Sequence, residues 1–245
     1  MTAELFQHKG KLSLGLSSEP EAGVLFVDFA DPALQHRISK ALSTEAVVKA
    51  MGQRPKTLSP HPLSDKSLSP DKETHLIDAT AGLGLDAFIL ACADWHVTLI
   101  EQSPLVHALL QDGIMRALNS PEPVTPAGTL TRAAINRLYL CPPGSSLDVL
   151  PTLPKAKVIY LDPMFPERDK SARVKKNRYL LQQLHGEEAQ GNNLLPLALS
   201  LADKVVVKRP IRALPLENMT PSAAIKGKTS RFDIYAGNNN RLITP

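Results

Sequence analysis

A short loop of the form Asp-Pro-x-Phe-Pro carries the residue types best suited to chemistry. It spans Asp162 to Pro166 and follows the apolar stretch KVIYL, so it begins where a β-strand is expected to end. The Asp162 carboxylate and a backbone carbonyl, both accepting N–H bonds, would orient a planar exocyclic amine and localise its lone pair. The ring of Phe165 would stack on a base rotated out of its helix. The alternative is an ordinary turn with Phe165 in the core.

A glycine-rich loop, DATAGLGLDA at 78–87, marks a second candidate site. Gly82 and Gly84 allow a tight turn and a close backbone approach where a strand passes into a helix, which is where doubly wound sheets bind nucleotides. Glu101 ends the next apolar stretch, at the spacing of an acid that binds ribose hydroxyls. This spacing alone fits a dinucleotide such as NAD as well as other nucleoside cofactors.

Two carboxylates beside the glycine loop separate these cofactors. Asp78 stands at the strand end and Asp86 in the first helical turn. A pyrophosphate needs the positive end of the helix unobstructed, whereas S-adenosyl-L-methionine (SAM) carries an ammonium and a sulfonium and no phosphate. The acids therefore favour SAM, with S-adenosyl-L-homocysteine as the product. The alternatives are a helix-dipole or capping role for Asp86 and a solvated strand-end charge for Glu101.

The elements that must position these loops follow a β-α-β order. Continuous apolar runs separated by helices are typical of a parallel sheet covered on both faces. The expected strands are LIDAT, VTLIE, LYLC, KVIYLDP, KVVVKRP and RFDIYAG. Helices are expected after the glycine loop and at about 104–118, 130–137, 175–185 and 194–202.

The chain divides into three parts. Residues 1–51 form a small N-terminal extension, with a strand-like VLFVDF at 24–29 and a helix through Ser43–Met51. Residues 52–74 are rich in Pro, Ser and charge without an apolar period, which predicts a mobile linker. Residues 75–245 form the nucleotide-binding domain.

Composition limits the class of protein. With 245 residues, 43% hydrophobic and 21% charged, the chain can bury a substantial core and is not a disordered polyelectrolyte. It has no apolar run of the roughly 20 residues that span a bilayer, and its start lacks a signal-peptide core. Cys92 and Cys141 lie in apolar stretches, and the seven histidines form no metal-binding pattern. We therefore expect a cytoplasmic protein without a metal ion.

The formal charge of +4 is unevenly distributed. The segment 168–178 holds six basic residues against a lone Asp169, which predicts a surface for RNA phosphates, although such runs are often solvated. The predicted phosphate contacts there are Arg168, Lys170, Arg173, Lys175 and Lys176. Lys208 and Arg209 end a strand, where they would contact RNA phosphate or pair with acids. Ser145 and Ser146 follow another strand and would border the adenine side of a cofactor or cap a short helix.

Several strings closely resemble the RsmJ family of 16S rRNA guanine-N2 methyltransferases. They are LIDATAGLGLDAFILA (76–91), VIYLDPMFP (158–166), KSARVKKN (170–177), KVVVKRP (204–210) and KGKTSRFDIYAG (226–237). The resemblance implies a Rossmann-like class I SAM-dependent methyltransferase fold, an α/β fold with a mostly parallel seven-stranded sheet. It also implies N2-methylguanosine as the product, in the 16S rRNA of the small ribosomal subunit. The implied SAM contacts are Leu85, Asp86, Glu101, Gln102, Ser145, Ser146 and Asp162.

The chain departs from that family in three places. Leu85 stands where members usually have Arg, and ISKALSTEA replaces a glycine-rich run expected after His36-Arg37. The 52–74 segment is an insertion. None of these departures touches the Asp162–Pro166 loop.

Three other functions compete with this interpretation. One is a SAM-dependent methyltransferase of another planar amine, such as DNA adenine or a protein glutamine. Another is a non-catalytic RNA-binding module with a vestigial cofactor fold, against which the acids Asp86, Glu101 and Asp162 argue. The last is a NAD-dependent oxidoreductase, which the carboxylates around the glycine loop disfavour.

Overall fold

The computed structural model describes residues 3–16, 23–52, 74–121, 125–163 and 193–237. These residues form nine strands and seven α-helices, joined in places by single 3-10 turns. The strands are β1 (Ala3–His8), β2 (Lys11–Leu16), β3 (His75–Asp78), β4 (His96–Leu99), β5 (Leu138–Leu140), β6 (Ala156–Leu161), β7 (Ala202–Pro210), β8 (Ala223–Lys226) and β9 (Ser230–Ala236). The helices are α1 (Pro32–Ile38), α2 (Ala46–Met51), α3 (Leu85–Cys92), α4 (Pro104–Asn119), α5 (Pro126–Ile135), α6 (Ser146–Val149) and α7 (Leu194–Leu201).

Seven strands form one sheet in the order β5-β4-β3-β6-β7-β9-β8. The five strands from β5 to β7 pair in parallel, and β9 and β8 close the sheet as an antiparallel hairpin. The mostly parallel seven-stranded sheet expected from the sequence is therefore confirmed. The order runs outward from β3 in both directions, so β3 and β6 lie side by side at the point where it reverses. Ligands of such sheets bind at the carboxyl ends of the strands at this reversal.

Helices cover both faces of the sheet, and the alternation of side chains along each strand divides the core in two. On β6, Val158 and Tyr160 belong to the core under α3 and α4, whereas Ile159 and Leu161 belong to the core under α7. All four are at most 1% exposed. Because both faces are buried, the strands appear in the sequence as uninterrupted apolar runs.

The N-terminal residues pack on the first of these cores. The antiparallel hairpin β1–β2 pairs His8 with Lys11 through a two-residue turn in which Lys9 and Gly10 both have positive φ. The backbone N–H of Leu12 donates to the Asp112 carboxylate of α4 at 3.2 Å. The buried residues of the hairpin belong to the same hydrophobic cluster as those of α3 and α4. The division into extension, linker and domain stays a prediction, and residues 53–73 lie outside the described residues.

The predicted strand at 24–29 is wrong. Leu25 makes a single bridge to Leu14, with two hydrogen bonds of 2.8 Å, and the pairing stops there. Asp28 begins a turn by accepting from the N–H of Ala30 at 3.0 Å, and Asp31 then caps α1. The apolar alternation that predicted a strand reflects burial of these side chains under α4 instead.

Most other predicted elements are confirmed, with shifted ends. The helix expected through Ser43–Met51 begins at Ala46, because Leu42–Thr44 form a 3-10 turn and Glu45 is extended. The helix expected at 130–137 begins at Pro126, since the Thr125 hydroxyl caps it. The helix expected near 175–185 lies outside the described residues. Among the residues that are described, no helix is long and apolar enough to cross a bilayer.

Candidate active site

The glycine loop joins the carboxyl end of β3 to α3. Gly82 and Gly84 have φ of 53° and 71°, and Gly84 is the residue from which α3 starts. A Cβ on Gly84 would lie 2.7 Å from Cδ1 of Leu110, so a larger residue would strain the backbone and collide with α4. The two positive-φ glycines therefore let the chain turn sharply from the end of β3 into α3.

Glu101 follows β4 and ties the glycine loop to the start of α4. Its carboxylate accepts from the N–H of Gly82 at 2.9 Å and from the N–H of Ser103 at 2.7 Å. Burial raises the pKa of Glu101, and the bonds from Ser103 and Gly82 offset part of that rise. The N–H of Gln102 bonds to the carboxylate as well. A carboxylate has about four acceptor positions, so these three bonds leave room for a hydroxyl donor.

The loop after β5 closes the same side of the site. Ser145 caps α6 by accepting from the N–H of Leu147 at 3.2 Å, which is the capping role weighed for it from the sequence. The Ser146 hydroxyl donates to the carbonyl of Ala79 at the end of β3. The N–H of Gly144 donates to the carbonyl of Glu101 at 3.1 Å. The glycine loop, Glu101 and the 144–146 segment thus form one continuous rim.

Asp162 lies beside the glycine loop, at the carboxyl end of β6. Its backbone N–H donates to the hydroxyl of Thr80 at 2.6 Å. Its side chain is 33% exposed, so the carboxylate is accessible from the outside of the sheet edge. The two segments that the sequence singled out therefore meet at the reversal of strand order. Met164 and Phe165 lie outside the described residues, and the role of Phe165 stays a prediction.

Lys208, near the end of β7, joins two of the predicted site acids. Its ammonium lies 2.7 Å from Oδ2 of Asp86 and 2.8 Å from Oδ2 of Asp162. Burial alone would lower the pKa of Lys208, but the two carboxylates outweigh it and raise that pKa well above its ordinary value. Of the two roles weighed from the sequence, the structure shows pairing with acids. Lys208 was predicted to contact RNA, but its ammonium is engaged between two carboxylates.

Asp86 is more fully paired than its sequence position suggests. Besides Lys208, its carboxylate accepts from the Tyr160 hydroxyl at 2.8 Å. Nη1 of Arg37 lies 3.9 Å from its other oxygen, and the same guanidinium is bonded to Glu45 at 2.8 Å. Burial would raise the pKa of Asp86, but Lys208 and then Arg37 hold it below its usual value. Asp86 is therefore an ionised acid inside a network rather than an isolated attractor for a cation.

Asp78 lies beneath this network and is 2% exposed. Burial raises the pKa of Asp78 to about 8, and the nearby charges of Asp86 and Asp162 add to the rise. The N–H of Thr80, 3.1 Å from Oδ1, partly opposes it. Asp78 is therefore mainly protonated at neutral pH in the folded state, so it adds little negative charge to the site.

We expect Asp78→Asn to flatten the dependence of folding stability on pH. The folded protein holds a proton on Asp78 that the unfolded chain releases near pH 4, so wild-type stability falls as pH rises toward about 8. Asparagine cannot titrate, so the melting temperature of the variant should gain on wild type from pH 5.5 to 8. Thermal unfolding at several pH values measures this. A difference that is constant with pH would mean that Asp78 is ionised throughout.

Several residues of the site were not found from the sequence. Thr80 and Tyr160 are ordinary members of apolar strand ends, and only their hydrogen bonds to Asp162 and Asp86 show a role. Arg37 was noticed through family likeness alone. Leu85 is 43% exposed at the first turn of α3. Gln102, another predicted SAM contact, is exposed in the loop between β4 and α4.

Comparisons with known proteins agree with this geometry. A family model described as "Putative SAM-dependent methyltransferase" matches residues 1–237. The chain is 42% identical over 228 residues to ribosomal RNA small subunit methyltransferase J of Aeromonas salmonicida, covering 92% of this chain and 82% of that one. It is 41% identical over 229 residues to the protein of the same name from an Enterobacter species, covering 92% and 81%.

The chain belongs to the ribosomal RNA small subunit methyltransferase J family. A crystal structure of a SAM-dependent methyltransferase from Neisseria gonorrhoeae is similar over 99% of this chain and 87% of that one, with 29% identity and a TM-score of 0.69. The fold is thus that of class I SAM-dependent methyltransferases, as the sequence predicted, and the chain is a SAM-dependent enzyme.

The described residues fit this cofactor. The positive-φ glycines form a tight turn between β3 and α3, and the buried Glu101 is bonded to that turn through Gly82, where its carboxylate would accept from a ribose hydroxyl. Asp86, in the first turn of α3, and Asp162, after β6, share the ammonium of Lys208, so two carboxylates face one shared lysine beside the glycine loop. Which individual residues contact SAM stays a prediction.

Proposed function

We propose that this chain transfers a methyl group from SAM to the exocyclic N2 amine of a guanosine in 16S rRNA of the small ribosomal subunit. The observation that carries this proposal is the position of Asp162. Its partly exposed carboxylate is held by Lys208, and its backbone N–H is bonded to the Thr80 hydroxyl of the glycine loop, so the carboxylate lies directly beside that loop. The names of the curated relatives support ribosomal RNA as the substrate.

The chemistry requires orientation more than acid–base work. The lone pair of guanine N2 is delocalised into the ring, so the amine is a weak nucleophile. SAM supplies an electrophilic methyl group when bound. Asp162 accepts an N–H bond from the amine and directs its lone pair, and the ion pair with Lys208 fixes the carboxylate in place. Correct orientation of two reactants contributes about 7–11 kcal/mol in favourable cases.

The transfer balances without a metal or a redox partner. A nitrogen–carbon bond forms as the sulfur–carbon bond breaks, which cancels the sulfonium charge and leaves S-adenosyl-L-homocysteine. The methylated nitrogen then holds one proton too many, and that cationic amine is strongly acidic. Asp162 or solvent accepts the proton, so no base with a pKa near neutrality is needed.

The remaining predicted contacts belong to this proposal. Gly82, Gly84, Leu85 and Asp86 line the glycine loop, and Glu101, Gln102, Ser145 and Ser146 lie on the adjoining rim, so we propose that they surround SAM. The basic residues of 168–178 lie outside the described residues, and their contact with RNA phosphates stays a prediction.

Both cysteines are buried and form no disulfide, and burial raises the pKa of Cys92 to about 12 and of Cys141 to about 11. We propose a cytoplasmic site of action, where small subunits are assembled.

We expect the protein to bind SAM and S-adenosyl-L-homocysteine but not NAD. Glu101→Gln should weaken SAM binding. Gly82 and Ser103 each bond to a different oxygen of the carboxylate, whereas an amide offers one acceptor oxygen. The variant therefore has less acceptor capacity left for the ribose hydroxyls. Isothermal titration calorimetry measures both effects. Thr152→Ala serves as a control outside the proposed SAM site, and it should leave the affinity unchanged because that exposed hydroxyl donates to the carbonyl of Val149 at 2.7 Å.

Substrate class is tested by incubating the protein with methyl-labelled SAM and rRNA from cells that lack this activity. Label should enter small-subunit rRNA and not DNA or protein. Heat of binding with NAD and none with SAM would refute the cofactor proposal. SAM binding without transfer to any RNA would instead favour the non-catalytic RNA-binding module.

A further inference from the structure

Three exposed cations lie along the carboxyl edge of the sheet, beyond the active site. Arg212 follows β7, Lys226 ends β8, and Lys228 stands in the turn before β9. The pairings of Pro210 with Ser230 and of Lys226 with Arg231 bring both loops to the edge at which Asp162 ends β6. Among the described residues, none of these three cations has a hydrogen-bonding or ion-pair partner.

Two arginines, Arg209 and Arg231, fix the first of these loops. Nε of Arg209 donates to the carbonyl of Leu214 at 2.8 Å, and Nη1 of Arg231 donates to the carbonyl of Ile211 at 2.8 Å. Arg231 is itself held by Asp233, with Nε 2.8 Å from Oδ1. Arg209 is only 7% exposed. It was predicted to contact RNA, but the structure places its side chain beneath the loop, where it shapes the backbone that carries Arg212.

The second loop is equally constrained. The N–H of Gly227 donates to the carbonyl of Ser230 at 2.7 Å and closes the β8–β9 turn. A Cβ on Gly227 would lie 3.0 Å from that carbonyl oxygen and 3.4 Å from Cβ of Ala46, so the turn packs tightly against α2. Lys226 and Lys228 are therefore displayed from a fixed backbone rather than from a loose end.

Apolar side chains accompany the cations. Leu214 is 71% exposed and Ile211 is 41% exposed, on either side of Arg212 along the loop. Neighbouring strands lie about 4.8 Å apart, so β9 and β8 are roughly 10 and 14 Å from β6 at this edge. Fixed cations can bind the phosphates of a nucleic acid, and exposed apolar side chains can contact its sugars. At this distance from Asp162, such a surface suits the phosphates and sugars on either side of a target base.

We propose that Arg212, Lys226 and Lys228 form an edge surface that binds backbone phosphates of the substrate RNA next to the nucleotide that is methylated. This rests on the proposed function, which makes RNA the substrate. The edge surface lies on the β7–β9–β8 side of Asp162, whereas the rim proposed for SAM lies on the β3–β4–β5 side. The RNA backbone thus approaches Asp162 from the side opposite the cofactor.

The test compares Arg212→Ala/Lys226→Ala/Lys228→Ala with wild type. Binding of the full chain, loaded with S-adenosyl-L-homocysteine, to protein-free small-subunit rRNA is measured between 50 and 200 mM salt. Each lost phosphate contact removes about 0.7–0.9 from the slope of log affinity against log salt, so the slope should flatten by about two to three units. KM for RNA should rise, and the SAM Kd should stay unchanged.

The matched control removes three exposed lysines from other elements, Lys9, Lys49 and Lys155, and so changes the net charge equally. It should keep the wild-type slope to within about one unit, which is the contribution of a single contact. An unchanged slope in the edge-surface variant, with wild type methylating rRNA normally, would overturn this surface and leave the proposed function intact. Failure of wild type to methylate RNA would overturn the function itself. A defect with assembled subunits but none with protein-free rRNA would indicate a ribosomal protein as the partner and would also overturn the proposal.

Discussion

Asp162→Ala is expected to lower kcat and kcat/KM together by about 10²–10³-fold, the usual effect of losing one oriented electrostatic partner. The carboxylate accepts from the amine most strongly as the new nitrogen–carbon bond forms, so its loss affects the transition state more than substrate binding. Single-turnover methyl transfer to undermethylated small-subunit rRNA with saturating SAM measures this. SAM affinity should fall only modestly, because Glu101 and the glycine loop are unaltered.

Three further variants separate loss of chemistry from loss of RNA binding in this experiment. Asp162→Asn keeps an acceptor oxygen but gives up the charge that Lys208 and the amine both use, so its rate should lie between those of wild type and Asp162→Ala. Phe165→Ala should mainly raise KM, since stacking on a base is worth about 1–3 kcal/mol, and Phe165→Tyr should keep most activity. A near-normal rate for Asp162→Ala would remove the Asp162–Pro166 loop from the mechanism.

Lys208→Met is expected to lower the single-turnover rate by up to about 10²-fold, the cost of misplacing a reacting group by about 1 Å. The substitution removes one ammonium group that lies 2.8 Å from Asp162 and 2.7 Å from Asp86, so both carboxylates lose the partner that fixes them. Because the site becomes more negative, the SAM cation should bind at least as well as before. A rate that falls while SAM affinity holds identifies Lys208 as a positioning residue. Parallel loss of both would mean that Lys208 only supports the fold.

The stability of this variant should depend on pH. In wild type, Lys208 holds the pKa of Asp86 below its usual value, which stabilises the fold at neutral pH and is lost as pH falls through that value. Without Lys208, Asp86 is a buried acid that takes up a proton more readily. The deficit in melting temperature should therefore be largest near pH 7.5 and shrink toward pH 5.

Lys204→Met is the matched control for Lys208→Met. Lys204 lies on the same strand, and its ammonium donates to the carbonyl of Ala50 at 3.3 Å and to that of Met51, far from either carboxylate. Its loss should alter stability without changing the rate. If the melting-temperature deficit of Lys204→Met shrank toward pH 5 as much as that of Lys208→Met, titration of Asp86 would not be the cause of the pH dependence.

The central strands could be predicted because burial of both faces of a strand gives a continuous apolar run in the sequence. The strands β3, β4, β6 and β7 are continuous apolar runs, and each falls where the sequence placed it. The β1–β2 hairpin was missed because its turn uses Lys9-Gly10, without the Asn or Asp that usually marks such turns. VLFVDF misled in the opposite direction, since the same alternation serves a buried segment that pairs at Leu25 alone.

The site was predictable to the extent that its residues lie near one another in sequence. The glycine loop and Glu101 are separated by one helix and one strand, so their meeting follows from the β-α-β unit. Lys208 is 122 positions from Asp86, and nothing in KVVVKRP distinguishes a lysine that faces an acid from one that faces RNA. Tyr160 has the same difficulty, because a tyrosine inside an apolar strand predicts only core packing. Both residues meet Asp86 because α3 packs on the face of the sheet that carries Tyr160, and neither segment alone predicts that packing.

The identity of the methylated nucleoside tests the proposed methylation of guanosine N2 most directly. Small-subunit rRNA from cells lacking this activity is incubated with the protein and SAM, digested to nucleosides and analysed by mass spectrometry, with Asp162→Ala in parallel. We expect one new N2-methylguanosine, formed by wild type and about 10²–10³-fold more slowly by the variant. A methyl group on another base, on DNA or on protein, or equal rates for both proteins, would contradict it.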